Sequence, residues 1–423
     1  PVTGIGNSAF YNCSSLTNVI IPDSVTTIGN NAFSSCFNLT NIVIPNSVTN
    51  LGSYAFVSCQ SLISVTIGTN VSRIGEWTFD NCHSLTSVTI GNGVTNIGER
   101  AFFYCISLTS INIPENVANI GGLAFGGCTS LTAITVNDLN STYRSVDGVL
   151  FDKSQFTLIQ CPARKAGAYT IPDGVAQIGE FAFNGCSGLA NVTIPGSVTN
   201  IGSYAFSICT SLTSIMVDPL NSIYRSVDGV LFNGSQSTLI QYPPGKSGAD
   251  YTISNTVASI GAAAFASCTS LTNITIPDSV TSIGDQAFDS CTSLSRLTIP
   301  DSVTTVGRAA FELCTGLTDI TIPNGVTSIR EATFNICTGL TTVTIGTSVT
   351  NIGHMAFASC TSLAVITVPE SVFSIGDQAF LRCTSLTSVT IGNGVTNIGR
   401  MAFASCTSLS DVTIPNSVTS IGA

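Results

Sequence analysis

Residues 283–305 read IGDQAFDSCTSLSRLTIPDSVTT, and close variants of this 23-residue unit recur along the chain. One cysteine marks each copy, so that fifteen of the sixteen cysteines occupy the same place in the unit. These positions are Cys13, Cys36, Cys59, Cys82, Cys105, Cys128, Cys186, Cys209, Cys268, Cys291, Cys314, Cys337, Cys360, Cys383 and Cys406. A fixed period of this length is typical of solenoids, in which each repeat buries its apolar face against its neighbours. We therefore predict a single repeat solenoid over residues 1–423.

The unit itself predicts a strand followed by a bend. Leu297 and Ile299 lie two residues apart and so point to the same side of a strand, while Thr298 points to the other side. Pro300 ends the strand because proline has no N–H to donate to a ladder. The segment 308–314 is too short for an independent helix, and we expect one or two helical turns there.

The period is interrupted twice, at about 140–172 and 221–254, by near-copies of one insertion. In both copies an Asp-Gly dipeptide, beginning at Asp147 or Asp228, separates Tyr-Arg-Ser-Val from Val-Leu-Phe. Asp-Gly between two such runs is a strong signal for a two-residue β-hairpin turn. Each insertion is therefore predicted to form a β-hairpin on the wall of the solenoid.

The cysteines admit three chemical interpretations. Zinc sites use closely spaced ligand pairs, whereas the ladder cysteines lie 23 or more residues apart. Disulfides are disfavoured because each interior cysteine would have two equivalent neighbours, and pairing would distort alternate coils. We expect a structural ladder of buried, reduced thiols, with no metal and no cofactor. Cys161 is the one cysteine outside the ladder, and among the sixteen thiols we expect it to be the most exposed.

The pattern C-x-x-L-x-x-[VI]-x-[IV]-P-x-x-V-x-x-I-G-x-x-A-F resembles the BspA-like leucine-rich repeats of bacterial surface proteins and of some parasitic protists. The resemblance covers essentially the whole chain, including the DGVLF insertions. It implies a right-handed leucine-rich-repeat solenoid or arc, with the Leu-containing strand on the concave side and short helical turns on the convex side. It also implies a secreted or surface-attached protein that mediates adhesion. Both ends fall within the repeat pattern, so we read the chain as a piece of a longer protein.

The composition disfavours several other classes of protein. The chain carries 13 Lys and Arg against 23 Asp and Glu, and its formal net charge is −10. Nucleic-acid binding is not predicted, because few cations are available to track a phosphate backbone. Membrane insertion is not predicted either, because no stretch approaches about 18 consecutive apolar residues.

Catalytic groups are sparse, and we predict that the chain is not an enzyme. His83 and His354 occupy variable, isolated positions of the repeat, which does not indicate a base paired with a nucleophile. Asp319 and Asp411 share one repeat position but lie four repeats apart, too far for a glycosidase acid pair.

Threonine recurs on the outward side of the predicted strand, seven residues after the cysteine, as at Thr275, Thr298 and Thr321. One interpretation is strand propensity, because threonine suits a half-exposed strand and pairs well across strands. The other is a broad polar recognition sheet, on which departures from the repeat determine specificity. These departures include Met216, Arg296 and Asp319.

The insertions carry a second set of candidate binding residues, Tyr143 and Arg144 in the first copy and Tyr224 and Arg225 in the second. Tyrosine and arginine are common anchors of protein interfaces. The alternative is that the tyrosines seal the edge of the solenoid beneath each hairpin. Both interpretations remain open at the level of the sequence.

Together these features predict a non-enzymatic scaffold, secreted or on a cell surface, that binds a protein or glycan partner on another surface. The alternative is a structural stalk, because solenoid ends expose strand edges that favour end-to-end self-association into filaments. A minor alternative is glycan or ice binding by the threonine-rich strand face.

Overall fold

A computed structural model describes residues 1–422. Its backbone contacts divide the chain into two compact units, one of residues 1–189 with 195–209 and one of residues 190–194 with residue 210 onward. Each unit is a β-solenoid in which the strands of successive repeats pair in parallel. Asn41–Ile44, for example, pairs with Ser64–Ile67 residue for residue, an offset of one 23-residue repeat.

Each regular repeat supplies one long and one short strand. The long strand follows the repeat's leucine, and its side chains alternate between exposed and buried, as in Asp319–Ile322. The short strand precedes the glycine of the Ile-Gly pair and buries its isoleucine, as in Ser282–Ile283. This alternation is what a strand with one face on the core requires, and it confirms the solenoid predicted from the repeat.

The first unit contains both kinds of strand. Its long strands are Asn41–Ile44, Ser64–Ile67, Ser87–Thr89, Ser110–Ile113, Ala133–Val136 and Gly167–Thr170. Its short strands are Gly4–Ile5, Thr27–Ile28, Asn50–Leu51, Arg73–Ile74, Asn96–Ile97, Asn119–Ile120, Gln177–Ile178 and Asn200–Ile201. The strand Leu189–Ile194 has its first residue in the first unit and the others in the second.

The second unit repeats this arrangement. Its long strands are Ser214–Val217, Asp250–Thr252, Asn273–Thr275, Arg296–Leu297, Asp319–Ile322, Thr342–Ile345, Val365–Val368, Ser388–Ile391 and Asp411–Thr413. Its short strands are Ser259–Ile260, Ser282–Ile283, Thr305–Val306, Ser328–Ile329, Asn351–Ile352, Ser374–Ile375, Asn397–Ile398 and Ser420–Ile421.

The first insertion forms the predicted hairpin, from Tyr143–Val146 and Val149–Asp152, which pair antiparallel. Its two turn residues, Asp147 and Gly148, have φ values of 50° and 78°, the left-handed conformation that an Asp-Gly hairpin turn requires. A third strand, Thr157–Gln160, pairs antiparallel with the hairpin and parallel with the short strand that follows. The insertion thereby feeds the chain back into the short-strand sheet.

The second insertion has the same build. Tyr224–Val227 and Val230–Asn233 form its hairpin, and Thr238–Gln241 joins the short-strand sheet. Its turn residues, Asp228 and Gly229, have φ values of 50° and 78°. The prediction of two β-hairpin insertions is therefore confirmed.

The expected helical turns are wrong, because residues 1–422 contain no helix. Around 308–314 the chain makes successive β-turns instead, with Ala309 at φ 51° and Leu313 at φ 58°. Alternate N–H groups here donate to the next coil, as from Phe311 to the carbonyl of Thr333 at 2.9 Å. Left-handed residues and donation between coils are both incompatible with the i to i−4 bonding of an α-helix.

Phenylalanine rings stack inside each unit, with one interruption in the first unit between Phe125 and Phe183. In the second unit Phe288, Phe311 and Phe334 stack with centroids 5.2 and 5.3 Å apart, in nearly parallel planes. In the first unit the corresponding centroid spacings are 5.0 Å between Phe10 and Phe33 and 5.2 Å between Phe33 and Phe56. Along these stacks each coil contributes one ring to the core.

Next to the rings lies the cysteine ladder, in which every thiol is free. Most interior sulfurs donate to the carbonyl of the preceding coil's phenylalanine, as from Cys314 Sγ to Phe288 O at 3.1 Å. After the insertions, Cys186 and Cys268 instead make longer contacts of 3.8 Å to the carbonyls of Cys161 and Tyr242. The side chains are fully buried except at the two extremes, where Cys13 is exposed and Cys406 is half-buried.

Cys161 is fully buried whereas Cys13 is exposed, so the expectation that Cys161 is the most exposed thiol is wrong. Its N–H donates to the carbonyl of Ala182 at 2.7 Å, the same bond that Phe183 makes to Ala205 at 2.8 Å. Cys161 therefore occupies a phenylalanine position of the core stack rather than a loop. Tyr242 holds this position in the second insertion and stacks on the next coil's phenylalanine.

Candidate binding surfaces

The long-strand face of the second unit presents one row of threonines. Thr252 lies opposite Thr275, and Thr321 lies opposite Thr344, in the register of adjacent parallel strands. Thr298 belongs to the same row, and the predicted residues Thr275, Thr298 and Thr321 are all exposed. The sequence-based prediction that these side chains point away from the core therefore agrees with the structure.

Two threonine rows in this unit differ in what their hydroxyls bind. The row four residues after the cysteine holds the coils together, since Thr272 Oγ1 donates to Ala249 O at 3.1 Å and Thr341 Oγ1 to Thr318 O at 2.9 Å. Within residues 1–422, the hydroxyls of Thr275, Thr298 and Thr321 make no such bond. The outer row keeps its hydrogen-bonding capacity for solvent or for a ligand.

Charged side chains flank this outer row. Arg296 and Asp319 face each other from adjacent strands, and both side chains are exposed. One carboxylate oxygen of Asp319 accepts a hydrogen bond from Thr318 Oγ1 at 2.9 Å. On a separate long strand of this unit, Met216 is 49% exposed.

The hairpin tyrosines differ in burial. Tyr143 is buried, and its hydroxyl accepts a hydrogen bond from the Ile120 N–H at 3.1 Å while lying 3.4 Å from the Ala118 carbonyl. Burial raises the pKa of this hydroxyl. Tyr143 thus seals the edge of the solenoid, which is the alternative left open above. Tyr224 is half-buried.

Each hairpin leaves its arginine at the surface, since Arg144 and Arg225 are exposed. The hairpin turn itself is tied to the neighbouring long strand by the Ile134 N–H, which donates to Gly148 O at 2.9 Å. A lysine secures the turn in both copies, because Lys165 Nζ donates to Asp147 O at 3.0 Å and Lys246 Nζ donates to the corresponding carbonyl. These lysines have a structural role.

An aromatic surface that the sequence analysis missed lies on the turns of the first unit. We call Tyr54, Trp77, Arg100, Phe103 and Tyr104 the turn-edge cluster. Tyr54 stacks on Trp77 with centroids 6.0 Å apart, and the Arg100 guanidinium lies 4.3 Å from the Trp77 ring centroid. The same guanidinium lies 5.0 Å from the Phe103 ring, which packs edge-on against Tyr104.

The backbone of this cluster is held in a conformation that bulky side chains rarely adopt. Tyr54, Trp77 and Arg100 have φ values of 60°, 56° and 52°. A left-handed residue other than glycine costs about 1–2 kcal/mol. The same repeat position is left-handed in the second unit, where it holds small residues at Ala309 and Ala332 and longer ones at Gln286 and Met355. The large residues are therefore not needed to form the turn.

A buried carboxylate lies beneath the cluster. Asp80 is 4% exposed, and burial raises its pKa, while Asn81 and the Arg100 charge act in the opposite direction. Asn81 Nδ2 donates to Asp80 Oδ2 at 2.8 Å. The positive charge of Arg100 thus interacts with the Asp80 carboxylate and with the rings of Trp77 and Phe103.

A signal for this cluster does exist in the sequence. Tyr54, Trp77 and Arg100 each precede a ladder cysteine by five residues, so they occupy one position of three successive repeats. Equivalent positions of stacked repeats lie side by side whatever the local backbone conformation, so this alignment could have been found from the repeat alone.

The two histidines make only isolated polar contacts. His83 Nε2 lies 3.3 Å from Asn81 Oδ1, and His354 Nδ1 lies 3.0 Å from the Asp377 carbonyl. Among residues 1–422, no three side chains of His, Cys, Asp or Glu converge in a way that could hold a metal ion. No helix in this part of the chain is long and apolar enough to cross a membrane.

The stacked coils, each with one leucine-bearing strand and one core cysteine, define a leucine-rich repeat protein. The chain belongs to the family described as "BspA type Leucine rich repeat region (6 copies)", which matches residues 3–132, 95–169, 163–246, 244–364 and 327–423. The resemblance inferred from the sequence pattern is therefore confirmed. Among curated proteins no sequence matches the chain.

Solved structures of leucine-rich repeat proteins are similar to this chain. One from Eubacterium ventriosum is 23% identical, with 90% of this chain and 85% of that chain covered and a TM-score of 0.56, which shows the shared fold. A leucine-rich cell surface protein from Faecalibacterium prausnitzii is 30% identical, with 92% and 82% covered and a TM-score of 0.41. A leucine-rich repeat protein from Bacteroides ovatus is 26% identical, with 98% and 88% covered and a TM-score of 0.35.

Proposed function

We propose that this protein is a non-catalytic adhesin, secreted or held at a cell surface, and that it binds a protein partner through the turn-edge cluster. One observation carries the proposal: Tyr54, Trp77 and Arg100, from three consecutive coils, stack on one another at the surface of the first unit. Aromatic and arginine side chains grouped in this way are typical anchors of protein interfaces.

The composition of the cluster favours a protein partner. Tryptophan, tyrosine and arginine are the residues most enriched among interface hot spots. Tyr54 and Tyr104 are 37% and 44% exposed, so part of each ring is available for contact. The stack of Arg100 on Trp77 holds both side chains in place before binding, which lowers the entropy lost on association.

The cell-surface location and the adhesive role are supported by membership of the BspA-type family together with the resemblance described above. The long-strand face of the second unit can add weaker polar contacts through Thr275, Thr298 and Thr321, flanked by Arg296 and Asp319. These residues are proposed as secondary contacts because their side chains are polar and exposed.

The test is a binding screen of the purified chain on immobilised fibronectin, fibrinogen, collagen, mucin and a glycan panel. Trp77→Ala should weaken saturable protein binding by about tenfold or more, as expected for a hot spot. Alanine is accommodated in this conformation, as Ala309 shows at φ 51°, so the variant should fold.

The matched control is Gln286→Ala, which truncates the same repeat position in the second unit, at φ 55°. It should bind as the parent chain does. Equal binding by the parent and Trp77→Ala would contradict the proposed surface. Absence of any binding, together with oligomers that grow with concentration, would favour the stalk alternative.

A further inference from the structure

The two hairpin insertions form equivalent clefts whose charged side chains differ. The cleft of the first unit has a volume of about 330 Å³ and is lined by Val136, Asn137, Asp138, Tyr143, Arg144, Ser145 and Lys153. The cleft of the second unit has a volume of about 380 Å³. Its residues correspond one for one to those of the first cleft: Asp218 to Asn137, Pro219 to Asp138, Tyr224 to Tyr143, Arg225 to Arg144 and Gly234 to Lys153. The backbones also correspond, because the N–H groups of Lys153 and Gly234 make the same 2.7 Å bond across each hairpin.

In the first cleft the Lys153 ammonium is bound by backbone carbonyls. Its Nζ donates to Asp138 O at 3.3 Å and also to Asn140 O. The cleft thus shows what chemistry this geometry accepts: a primary ammonium, which offers three donors to carbonyl oxygens. Charge on the donor makes such bonds stronger than neutral ones.

The second cleft has no lysine of its own at this place, because Gly234 is the counterpart of Lys153. The carboxylate also differs in position. The second cleft has Asp218 where the first has the neutral Asn137, and Pro219 where the first has Asp138. One oxygen of Asp218 accepts the Leu220 N–H at 2.8 Å, as Asn137 does for Leu139, and this bond fixes the side chain at the cleft.

We propose that the second cleft binds a primary ammonium group supplied by another molecule. The ammonium would lie where the Lys153 amine lies in the first cleft, near the Pro219 carbonyl and the Asp218 carboxylate. Arg225 does not prevent this, because Arg144 lines the first cleft beside the bound Lys153 amine. The ligand class is a lysine side chain of a partner or a free alkyl diamine.

Saturation-transfer NMR tests the site with small probes at millimolar concentration. The probes are Nα-acetyl-lysine methylamide, its norleucine counterpart, which lacks the ammonium, and cadaverine. We expect transfer to an ammonium probe and none to the norleucine compound. Asp218→Asn should weaken binding of the ammonium probe by roughly tenfold, the effect of losing one charge-assisted hydrogen bond.

Two further variants use the internal duplication as a control. Gly234→Lys should abolish probe binding by supplying the ammonium from within, with Gly234→Ala as its control because a Cβ there meets the Ser222 carbonyl at 2.9 Å. The double variant Asn137→Asp with Lys153→Gly should create a second ammonium site in the first unit and raise the stoichiometry from one to two.

The outcomes separate the ligand sources as well as the hypothesis. Stronger binding of the acetylated lysine than of cadaverine supports a lysine side chain, and the reverse supports a free diamine. Equal transfer to the lysine and norleucine probes, or binding that is unchanged in both Asp218→Asn and Gly234→Lys, would overturn the proposal. These results do not depend on the turn-edge cluster, because no protein partner is present.

Discussion

The thiol of Cys314 donates to the carbonyl oxygen of Phe288, one coil earlier, across 3.1 Å. The same bond recurs from Cys291 to Phe265 and from Cys337 to Phe311, each at 3.1 Å. The Phe288 carbonyl also accepts the backbone N–H of Cys291 at 3.2 Å, so the thiol supplies a second hydrogen bond to it from the next coil. The cysteine therefore combines a small apolar volume with a bond that ties successive coils together.

This arrangement predicts which thiols react in the native protein. Burial raises the pKa of Cys59, Cys291 and Cys360 to about 12, which removes the reactive thiolate at neutral pH. With an aromatic disulfide reagent we expect rapid reaction of Cys13, slower reaction of Cys406, and all sixteen thiols only in denaturant. Cys13→Ser should remove the rapid phase. Fast native reaction of most thiols would contradict the buried ladder.

How far the sequence predicts the structure depends on the kind of contact. The two-residue spacing of Leu297 and Ile299 suffices to predict that both side chains are buried, because a period of two places them on the same face of an extended segment. The dipeptide Asp147-Gly148 suffices to predict the hairpin, because Asp-Gly favours one type of two-residue turn. The turn segment could not be predicted in this way, since its N–H groups bond to another coil, and local propensity carries no information about that partner.

Cys161 shows the same limit. Its place in the sequence, outside the 23-residue ladder, gave no indication of burial. Its N–H bond to the Ala182 carbonyl places it in the core stack, at a position that phenylalanine fills elsewhere. Comparison with Tyr242, its counterpart in the second insertion, would have suggested a core site, because that residue is large and aromatic.

The phenylalanine stack should dominate the stability of each unit. Phe311 is fully buried between two parallel rings, so Phe311→Ala should lower the free energy of unfolding by about 3–5 kcal/mol, the usual cost of such a cavity. Phe373, which is 52% exposed, provides the matched control, and Phe373→Ala should cost less than about 0.5 kcal/mol. Urea denaturation followed by circular dichroism measures both. Similar losses in the two variants would argue against a stack that bears on stability.

The hairpin turn should depend on its glycine. Gly148 has φ 78°, and a Cβ there would lie 3.1 Å from the Ala133 Cα. Gly148→Ala should therefore cost about 1–2 kcal/mol and make the hairpin more susceptible to limited proteolysis. Gly122→Ala is the control, since a Cβ at that site meets nothing within 4 Å. Equal protease resistance in all three proteins would show that the left-handed conformation is dispensable.

Asp289 should make the second unit less stable as the pH rises. Burial, reinforced by the nearby Glu312 carboxylate, raises the pKa of Asp289 from 3.8 to about 6, whereas bonds from Ser290 oppose the shift. Between pH 4 and 6 the folded chain therefore holds a proton that the unfolded chain has lost. Stability falls as the pH rises through this window and then levels off above pH 6.

The substitution Asp289→Asn removes this titration while keeping the side chain's size. The variant should match the parent near pH 4 and exceed its unfolding free energy by on the order of 1 kcal/mol at pH 7.5, after allowance for partial solvent screening. Urea midpoints at both pH values measure the difference, with the exposed Asp278→Asn as control. A parent–variant difference that is the same at pH 4 and pH 7.5 would mean that Asp289 is ionised in the folded state throughout, and that Glu312 and burial do not act on it as the structure indicates.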